Sequence, residues 1–447
     1  MVAFVKSFLA NKLSRRLSVS QSVAEIARSL LLVENGDSER SSVERIVSNS
    51  SVKPLVLEAV LAIVSEKDSI DRDLQNLLGL KPSKSQDWMY LRAGYYALRR
   101  SLVRTKADSR ISIIRSNTPI DLLNDIERMI GAILSKDYQE QKEGFATDEQ
   151  KIAFRTHNQV WWVKYCLRLF SRSEAIQFLS HPTRPRFVHV NSIRNGGKLD
   201  LPPDPNIRKR LHATAFPRIF QMTSSPSNLS EYFARGLFQI QDLASFATIV
   251  AANPSPGENV LDVCAATGSK TCSMAQLMMN TGRILSVDIS FARFRAWRNQ
   301  VDRLGVKIAE PLVMDARNMS IQDRFDLVLV DPPCTGSGIF DRNPQMKWHI
   351  SPESLRLYGN IQQQILSNAS MFVGPNGRLV YSTCSITLEE NEQVVSDFIK
   401  SNPQFEIRPI GQDFGSPGLR GLTDARRFYP HRDSTAGYFV ARLERSS

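Results

Sequence analysis

Short apolar strands alternate with amphipathic helices from residue 259 onwards, and this alternation constrains the fold more than any other feature of the sequence. The strand-like segments read "NVLDV", "RILSVD", "PLVMD" and "FDLVLVD", and a long helix and the strand "GRLVYSTCS" follow them. Such a pattern is typical of a parallel sheet with helices on both faces, in which ligands bind beyond the carboxyl ends of the strands. We therefore predict an α/β Rossmann-like domain at residues 240–447.

The N-terminal part has a different pattern. At residues 23–135 apolar residues recur at three and four spacing, as in "VAEIARSLLLV" and "LRAGYYALRRSLV", which predicts an all-helical domain. A hydrophilic linker at 136–149 and a small α+β region at 150–239 lead to the sheet. In that region Trp161, Trp162 and His189 lie near basic residues. They either clamp single-stranded RNA or are simply packed, which is the more common case.

Length and composition limit the class of protein. The chain of 447 residues is long enough for two or three domains, and 42% hydrophobic and 23% charged residues are typical of a globular protein. No apolar run is long enough to cross a bilayer, so we expect no membrane insertion. The formal net charge of +12 is spread along the chain and favours nucleic acid as the partner. We also expect the protein to be a monomer.

The five cysteines are widely spaced and form no C-x-x-C pair. This suits a reducing compartment and excludes the familiar zinc spacings, so we predict no metal site and a cytoplasmic location. Residues 1–22 are basic and lack acids, as transit peptides do, but an ordinary basic extension is the preferred interpretation; organellar targeting stays open.

Acidic residues end three successive strands. After the first strand, the loop "CAATGSKT" contains Gly268, which lets the backbone approach a ligand. Asp288 ends the next strand twenty residues later, at the place where an acid holds ribose hydroxyls, and Asp315 ends the third strand near an expected adenine amino group. These acids alternatively cap the following helices. Three together favour an adenosine ligand without phosphate, which is S-adenosylmethionine rather than NAD.

Two cysteines stand at the ends of the fourth and fifth strands. Cys334 lies in "DPPCTGSG", where enzymes that methylate an amino nitrogen usually have an aromatic residue, and Cys384 lies in "YSTCS". Carbon 5 of cytosine accepts a methyl group only after a thiolate has added to carbon 6. Two thiols beside Asp331, which can bind the base edge, therefore predict covalent activation of cytosine. The residues alone leave open which thiol attacks.

The attacking thiol must be ionised, so positive charge or backbone N–H groups are expected near it. Lys270, Lys347 and Arg378 are the candidate cations, and the sequence does not rank them.

The segments "DPPCTGSG" through "NPQMKW", "YSTCSITLEENEQVV" and "CAATGSKT" resemble motifs of the Nop/Sun (Fmu-type, RsmB-like) RNA cytosine-5 methyltransferases. The segments "GLFQIQDLAS" and "YPHRDSTAGYFVARL" add to the resemblance, which covers about residues 150–443. It implies Cys384 as nucleophile, Cys334 as the cysteine that assists product release, and Asp331 as the acid near the base. The cofactor-binding residues it implies are Cys264, Ala265, Ala266, Thr267, Gly268, Ser269, Lys270, Asp288, Arg293, Asp315 and Asp331.

The sequence departs from the family pattern in two places. Thr267 and Ser269 replace a proline and a glycine of the family loop, and residues 434–436 separate Asp433 from Gly437, which usually adjoin. The first departure affects the expected cofactor affinity, and the second affects the geometry of the C-terminal loop.

The N-terminal helices resemble the NusB-like RNA-binding domain that precedes the catalytic part of small-subunit ribosomal RNA members. This resemblance favours ribosomal RNA over transfer RNA as substrate. Two other hypotheses remain: a catalytically silent RNA-binding assembly factor, motivated by the altered loop, and methylation of an exocyclic amino group, which leaves Cys384 unexplained.

Overall fold

The computed structural model of the chain describes residues 22–101, 111, 114–134, 145–180, 184–197, 205–223, 229–411 and 414–446. Almost all of the predicted extension at 1–22 and most of the predicted linker at 136–149 lie outside these residues. The chain forms two compact units. One comprises Met1–Ser180 and Arg342–His349, and the other comprises His181–Asp341 and Ile350–Ser447.

The first unit is helical throughout its described residues, as the three and four spacing predicts. Its helices are α1 (Val23–Glu34), α2 (Glu39–Ile46), α3 (Lys53–Ser65), α4 (Lys67–Leu78), α5 (Gln86–Ser101), α6 (Leu123–Leu134), α7 (Asp148–Thr156), α8 (Val160–Leu169) and α9 (Arg172–Leu179). Apolar faces of α1 to α6 share one core. Arg92 is buried and bridges Asp71 at 2.6 Å and Glu34 at 2.8 Å, so its charge is compensated inside the bundle. The likeness to NusB stays a prediction.

A short segment from the C-terminal half of the sequence completes this unit. Residues Arg342–His349, with the short helix Met346–His349, belong to it although both flanks belong to the other unit. The Trp348 indole donates to the carbonyl of Val64 at 2.7 Å and packs against the helical core. The Lys347 ammonium donates to the carbonyl of Ser65 at 2.7 Å, and burial lowers the pKa of Lys347 to about 8. The predicted undivided domain at 240–447 is corrected accordingly.

The second unit contains a small antiparallel sheet. Its strands are β1 (Arg186–Val190), β2 (Leu211–Ala213), β3 (Ile219–Met222) and β4 (Phe238–Ile240), in the order β2-β3-β1-β4. His189 is fully buried, with Nδ1 3.3 Å from the Ser273 hydroxyl, and burial lowers its pKa to about 3. Trp162 of the helical unit is 1% exposed. The packing interpretation is therefore confirmed for both residues.

The predicted region at 150–239 is not one unit. Its helices, up to Leu179, lie in the helical unit, where α8 packs against both α7 and α9. Its strands lie in the second unit, because Phe187, Phe216 and Ile219 share a core with residues of the large sheet and its helices. The boundary between the units falls after residue 180, inside the region predicted at 150–239.

The large sheet confirms the Rossmann-like α/β fold. Its parallel strands are β5 (Asn259–Val263), β6 (Arg283–Asp288), β7 (Ala309–Val313), β8 (Phe325–Val330) and β9 (Val373–Thr383), and the strands β10 (Phe405–Arg408), β11 (Ser416–Pro417), β12 (Arg426–Phe428) and β13 (Tyr438–Arg445) extend it. The order is β11-β12-β13-β9-β8-β5-β6-β7, and β10 pairs with β13. Because β8 lies between β5 and β9, the carboxyl ends of these three strands meet.

Helices cover the large sheet on both faces. They include α10 (Leu243–Ala252), α11 (Ser269–Leu277), α12 (Phe291–Leu304), α13 (Pro352–Ser370) and α14 (Glu392–Ser401). Two apolar clusters fill the spaces between helices and sheet. Throughout the part of the chain that the structure describes, every helix is too short or too polar to cross a membrane.

Candidate active site

The two cysteines at the strand ends lie side by side. β8 and β9 are parallel neighbours in which Val330 faces Tyr381, so both strands end at the same level. The Sγ atoms of Cys334 and Cys384 are 3.1 Å apart, and both side chains are half-buried. The hydrogen bond with Cys384, followed by burial, raises the pKa of Cys334 well above its usual range. Cys334 is therefore held as a thiol next to the second sulfur.

Asp331 stands at the end of β8 and accepts three hydrogen bonds. The Lys270 ammonium donates to Oδ2 at 2.7 Å, and the hydroxyls of Ser382 and Tyr438 donate to Oδ1 at 2.8 and 3.0 Å. Burial disfavours the charge of Lys270, but attraction to Asp331 outweighs it and raises the pKa of Lys270 above its usual value. The carboxylate is thus held in one orientation, three residues from Cys334.

Sequence reasoning missed Ser382 and Tyr438. Both lie inside quoted motif segments, Ser382 in "YSTCS" and Tyr438 in "YPHRDSTAGYFVARL". Their shared target became visible only through the antiparallel pairing of β13 with β9, in which Phe439 faces Thr383. For Ser382, the available signal was its position among polar residues just before Cys384 at the end of a strand.

Two glycines bring the C-terminal loop against the cysteine loops. The N–H of Gly437 donates to the carbonyl of Gly338 at 2.8 Å, and the N–H of Gly338 donates to the carbonyl of Cys384 at 3.0 Å. A Cβ atom on Gly338 would lie 2.0 Å from the carbonyl oxygen of Gly437, which no real contact permits. Glycine is therefore required at this crossing.

The residues that depart from the family end motif are tied to the fold. The Thr435 hydroxyl and the N–H of Ala436 both donate to Oδ1 of Asp242, the latter at 3.0 Å. Asp242 lies in "GLFQIQDLAS" and caps α10 through the N–H of Ala244. These contacts fix the loop that delivers Gly437 and Tyr438.

Of the three candidate cations, Lys270 is the one that contacts the site. Arg378 lies six residues before Cys384 on β9 and pairs with Glu258 at 2.6 Å. Lys347 belongs to the helical unit. The position of Arg378 does not support its predicted role beside the nucleophile, and the role of Lys347 stays a prediction.

The loop from Cys264 to Lys270 connects β5 to α11. Gly268 has φ of 91° at the N-cap of α11, and a Cβ there would lie 3.0 Å from the Trp297 ring. The N–H of Ala266 donates to Oδ2 of Asp288 at 3.2 Å, and Arg293 pairs with the same carboxylate at 3.0 Å. The structure therefore brings the predicted loop together with Asp288 and Arg293.

The groups around this loop fit an adenosine-like ligand. Asp288 is a carboxylate acceptor at the end of β6, and the next residue, Ile289, is 62% exposed and offers an apolar surface. Lys270 and Arg293 are each paired with a carboxylate, so the loop suits a ligand without phosphate. Asp315 follows β7, and both its oxygens accept from Nε of Arg317 at 3.0 Å. Its predicted contact with adenine stays a prediction.

A family model described as 16S rRNA methyltransferase RsmB/F matches residues 249–444, which contain both cysteines, Asp331 and the loop. This part of the chain resembles the RsmB/F (Nop/Sun) methyltransferases. The RsmB/F region thus includes β5 to β9, whose carboxyl ends carry the site.

Curated relatives match this chain over only part of their own length. The 28S rRNA (cytosine-C(5))-methyltransferase of Mus musculus is 31% identical over 63% of this chain and 38% of the relative. The tRNA (cytosine(72)-C(5))-methyltransferase of Pyrococcus horikoshii is 34% identical over 48% of this chain and 54% of the relative. The chain spans about half or less of the curated relatives it matches.

The crystal structure of PH0851 resembles the fold over most of the chain. The TM-score is 0.80 with 24% sequence identity, and the match covers 95% of this chain and 99% of the other. At this identity the similarity establishes the shared fold.

Proposed function

We propose that the chain is an RNA methyltransferase that transfers a methyl group to carbon 5 of cytosine. The observation that carries the proposal is the pair of thiols 3.1 Å apart at the ends of adjacent parallel strands. A single nucleophile would account for one cysteine, whereas formation and release of a covalent adduct use both. The match of residues 249–444 to the RsmB/F family model supports the same reaction class.

The residues divide the chemistry between them. The thiolate of Cys384 adds to carbon 6 of cytosine, which makes carbon 5 nucleophilic. Asp331, held by Lys270, Ser382 and Tyr438, binds the base edge and orients the ring. After methylation a base takes the proton from carbon 5, the electron pair left behind restores the double bond between carbons 5 and 6, and the sulfur of Cys384 leaves carbon 6 as a thiolate. Cys334 assists this release.

S-adenosylmethionine is the proposed cofactor, and it supplies an electrophilic methyl group when bound. The residues that would hold it are the Cys264 to Lys270 loop, Asp288, Arg293 and Asp315. Ile289 would add an apolar surface beside the adenine. Thr267 and Ser269, which differ from the family pattern, lie within this loop. The loop still contacts Asp288 through the N–H of Ala266.

Ribosomal RNA of the small subunit is the proposed substrate, with transfer RNA as the second candidate. The net charge of +12 supports a polyanionic partner, and the family description names 16S rRNA. The Pyrococcus horikoshii relative favours transfer RNA. We also propose that the helical unit is NusB-like and binds RNA, and that the protein is a cytoplasmic monomer.

The deciding experiment incubates the protein with unmethylated total RNA and methyl-labelled S-adenosylmethionine. RNAs are separated by size and the labelled band is digested to nucleosides. Label in 5-methylcytidine from small-subunit ribosomal RNA supports reaction and substrate together. Label in transfer RNA keeps the reaction and rejects the substrate. Absence of both labelling and cofactor binding supports the silent assembly factor instead.

A further inference from the structure

Glu390 is a fully buried carboxylate that takes no part in the chemistry above. It accepts hydrogen bonds from the residue that follows each cysteine. Thr335, which follows Cys334, donates its backbone N–H at 2.8 Å and also its hydroxyl. Ser385, which follows Cys384, donates its hydroxyl at 2.7 Å. One carboxylate therefore holds the chain immediately beyond both thiols.

Two more donors complete the surroundings of this carboxylate. The Thr387 hydroxyl donates to Glu390 at 2.8 Å and the Gln362 amide at 3.0 Å. The same amide group of Gln362 donates to the carbonyl of Pro333, the residue before Cys334, at 2.9 Å. Removal of the carboxylate would leave several buried donors without an acceptor at both cysteine loops.

The charge of Glu390 also acts on Cys334. The pKa of Cys334 is raised first by the hydrogen bond with Cys384 and by burial, and the negative charge of Glu390 adds to this effect. Glu390 therefore helps to keep the proton on Cys334.

We propose that Glu390 is a positioning residue that fixes the two cysteine loops against each other and so sets the separation of the thiols. The roles assigned to the individual thiols rest on the proposed function, whereas these contacts do not. Glu390, which is not among the predicted site residues, controls the geometry of both cysteines.

Disulfide formation by diamide measures the separation directly, because the reagent oxidises two adjacent thiols to a disulfide and is itself reduced to the hydrazine. In the full-length protein we expect rapid formation of the Cys334–Cys384 disulfide. In Glu390→Gln and in Thr335→Val the rate should fall at least about ten-fold, since misaligned loops separate the sulfurs. Glu389→Gln, which removes the neighbouring half-buried carboxylate, is the matched control and should keep the original rate.

Alkylation by iodoacetamide measures the effect of the charge. Trypsin cleavage after Arg324, Arg342, Arg378 and Lys400 places the two cysteines on different peptides, so mass spectrometry follows each thiol separately. In Glu390→Gln the midpoint for Cys334 should move down by about one pH unit, and Glu390→Asp should restore it. If the shift of the Cys334 midpoint came only from disturbed packing, the shorter carboxylate of Glu390→Asp would not restore it.

Unchanged disulfide formation in both Glu390→Gln and Thr335→Val would overturn the proposal, and the Thr335 variant keeps the test valid if the Glu390 variant unfolds. Neither assay contains RNA or S-adenosylmethionine. A protein inactive on every RNA that still shows both shifts would reject the proposed function and keep the role of Glu390.

Discussion

At the scale of single residues, the site combines a paired carboxylate with a pair of thiols. Asp331 is neutralised by Lys270, so its charge does not repel a thiolate as a free carboxylate would. Cys334 keeps its proton because Cys384 and burial raise its pKa. The two thiols stand at the ends of different strands, and the roles proposed for them predict unequal behaviour on substitution.

Substitution of either cysteine should stop turnover with opposite effects on the covalent adduct. Cys384→Ala should form no adduct between protein and RNA, because it lacks the nucleophile. Cys334→Ala should accumulate the adduct, because release is impaired. Denaturing gel electrophoresis after incubation with RNA and S-adenosylmethionine detects the adduct, and Cys166→Ala is the control. An adduct in the Cys384 variant alone would reverse the assignment.

At the scale of elements, the positions of the site residues are determined by the ends of adjacent strands and by the close contact between Gly338 and Gly437. The segments "NVLDV" and "RILSVD" correspond residue for residue to β5 and β6, and "FDLVLVD" exceeds β8 by one residue, since short apolar runs between turns define strands well. The adjacency of Cys334 and Cys384 followed from the parallel order. The roles of Ser382, Tyr438 and Glu390 could not be predicted, because antiparallel addition of β13 and the buried contacts around Glu390 leave no periodic signal.

The crossing at Gly338 should not tolerate a methyl group. Gly338→Ala would place a Cβ 2.0 Å from the carbonyl oxygen of Gly437, so the C-terminal loop must move away from the cysteine loops. We expect a lower melting temperature and at least about ten-fold slower formation of the disulfide between Cys334 and Cys384. Gly411→Ala, whose Cβ would meet its nearest neighbour, Phe414, at 3.8 Å, is the control. Equal behaviour of the two variants would refute the argument.

Strand β5 contains a buried acid that should make stability depend on pH. Burial raises the pKa of Asp262 to about 7 from an ordinary 3.8. The folded state therefore binds the proton more tightly, and its stabilisation is complete below pH 3.8 and is lost as the pH rises towards 7. Asp262→Asn avoids this loss.

Relative to the original protein, Asp262→Asn should gain stability between pH 4 and 7, by up to about 4 kcal/mol. Urea unfolding at pH 4, 5.5 and 7 measures the difference, with the exposed Asp323→Asn as control. A difference that stays constant across these pH values would contradict the assignment.

At the scale of the whole molecule, sequence order and structural units do not coincide. Residues 342–349 follow the Cys334 loop in sequence, yet their tryptophan and lysine bind carbonyls of the N-terminal helices. The motif "NPQMKW" indicated family resemblance, but nothing in its composition indicated that it completes a different unit. Long-range packing of this kind is invisible to periodicity.

Loss of the Trp348 side chain should therefore destabilise the helical unit. Trp348→Ala removes apolar contacts with the helical core and the hydrogen bond to Val64, and we expect a loss of about 2–3 kcal/mol in the free energy of unfolding. Urea unfolding followed by helical circular dichroism measures it. Leu357→Ala, at a side chain that is 58% exposed, is the control and should change little. Equal stability of the two variants would show that the segment is dispensable.

Because residues 342–349 complete the helical unit, no single cut of the backbone yields two fragments that each contain one whole unit. Cleavage after Ser180 would leave Trp348, which packs against the helical core, on the C-terminal fragment. That segment contacts the helices through two hydrogen bonds and the packing of Trp348, so these contacts would join the two pieces. Truncation at one position therefore cannot isolate either unit intact, whereas two fragments that are expressed together could complement each other.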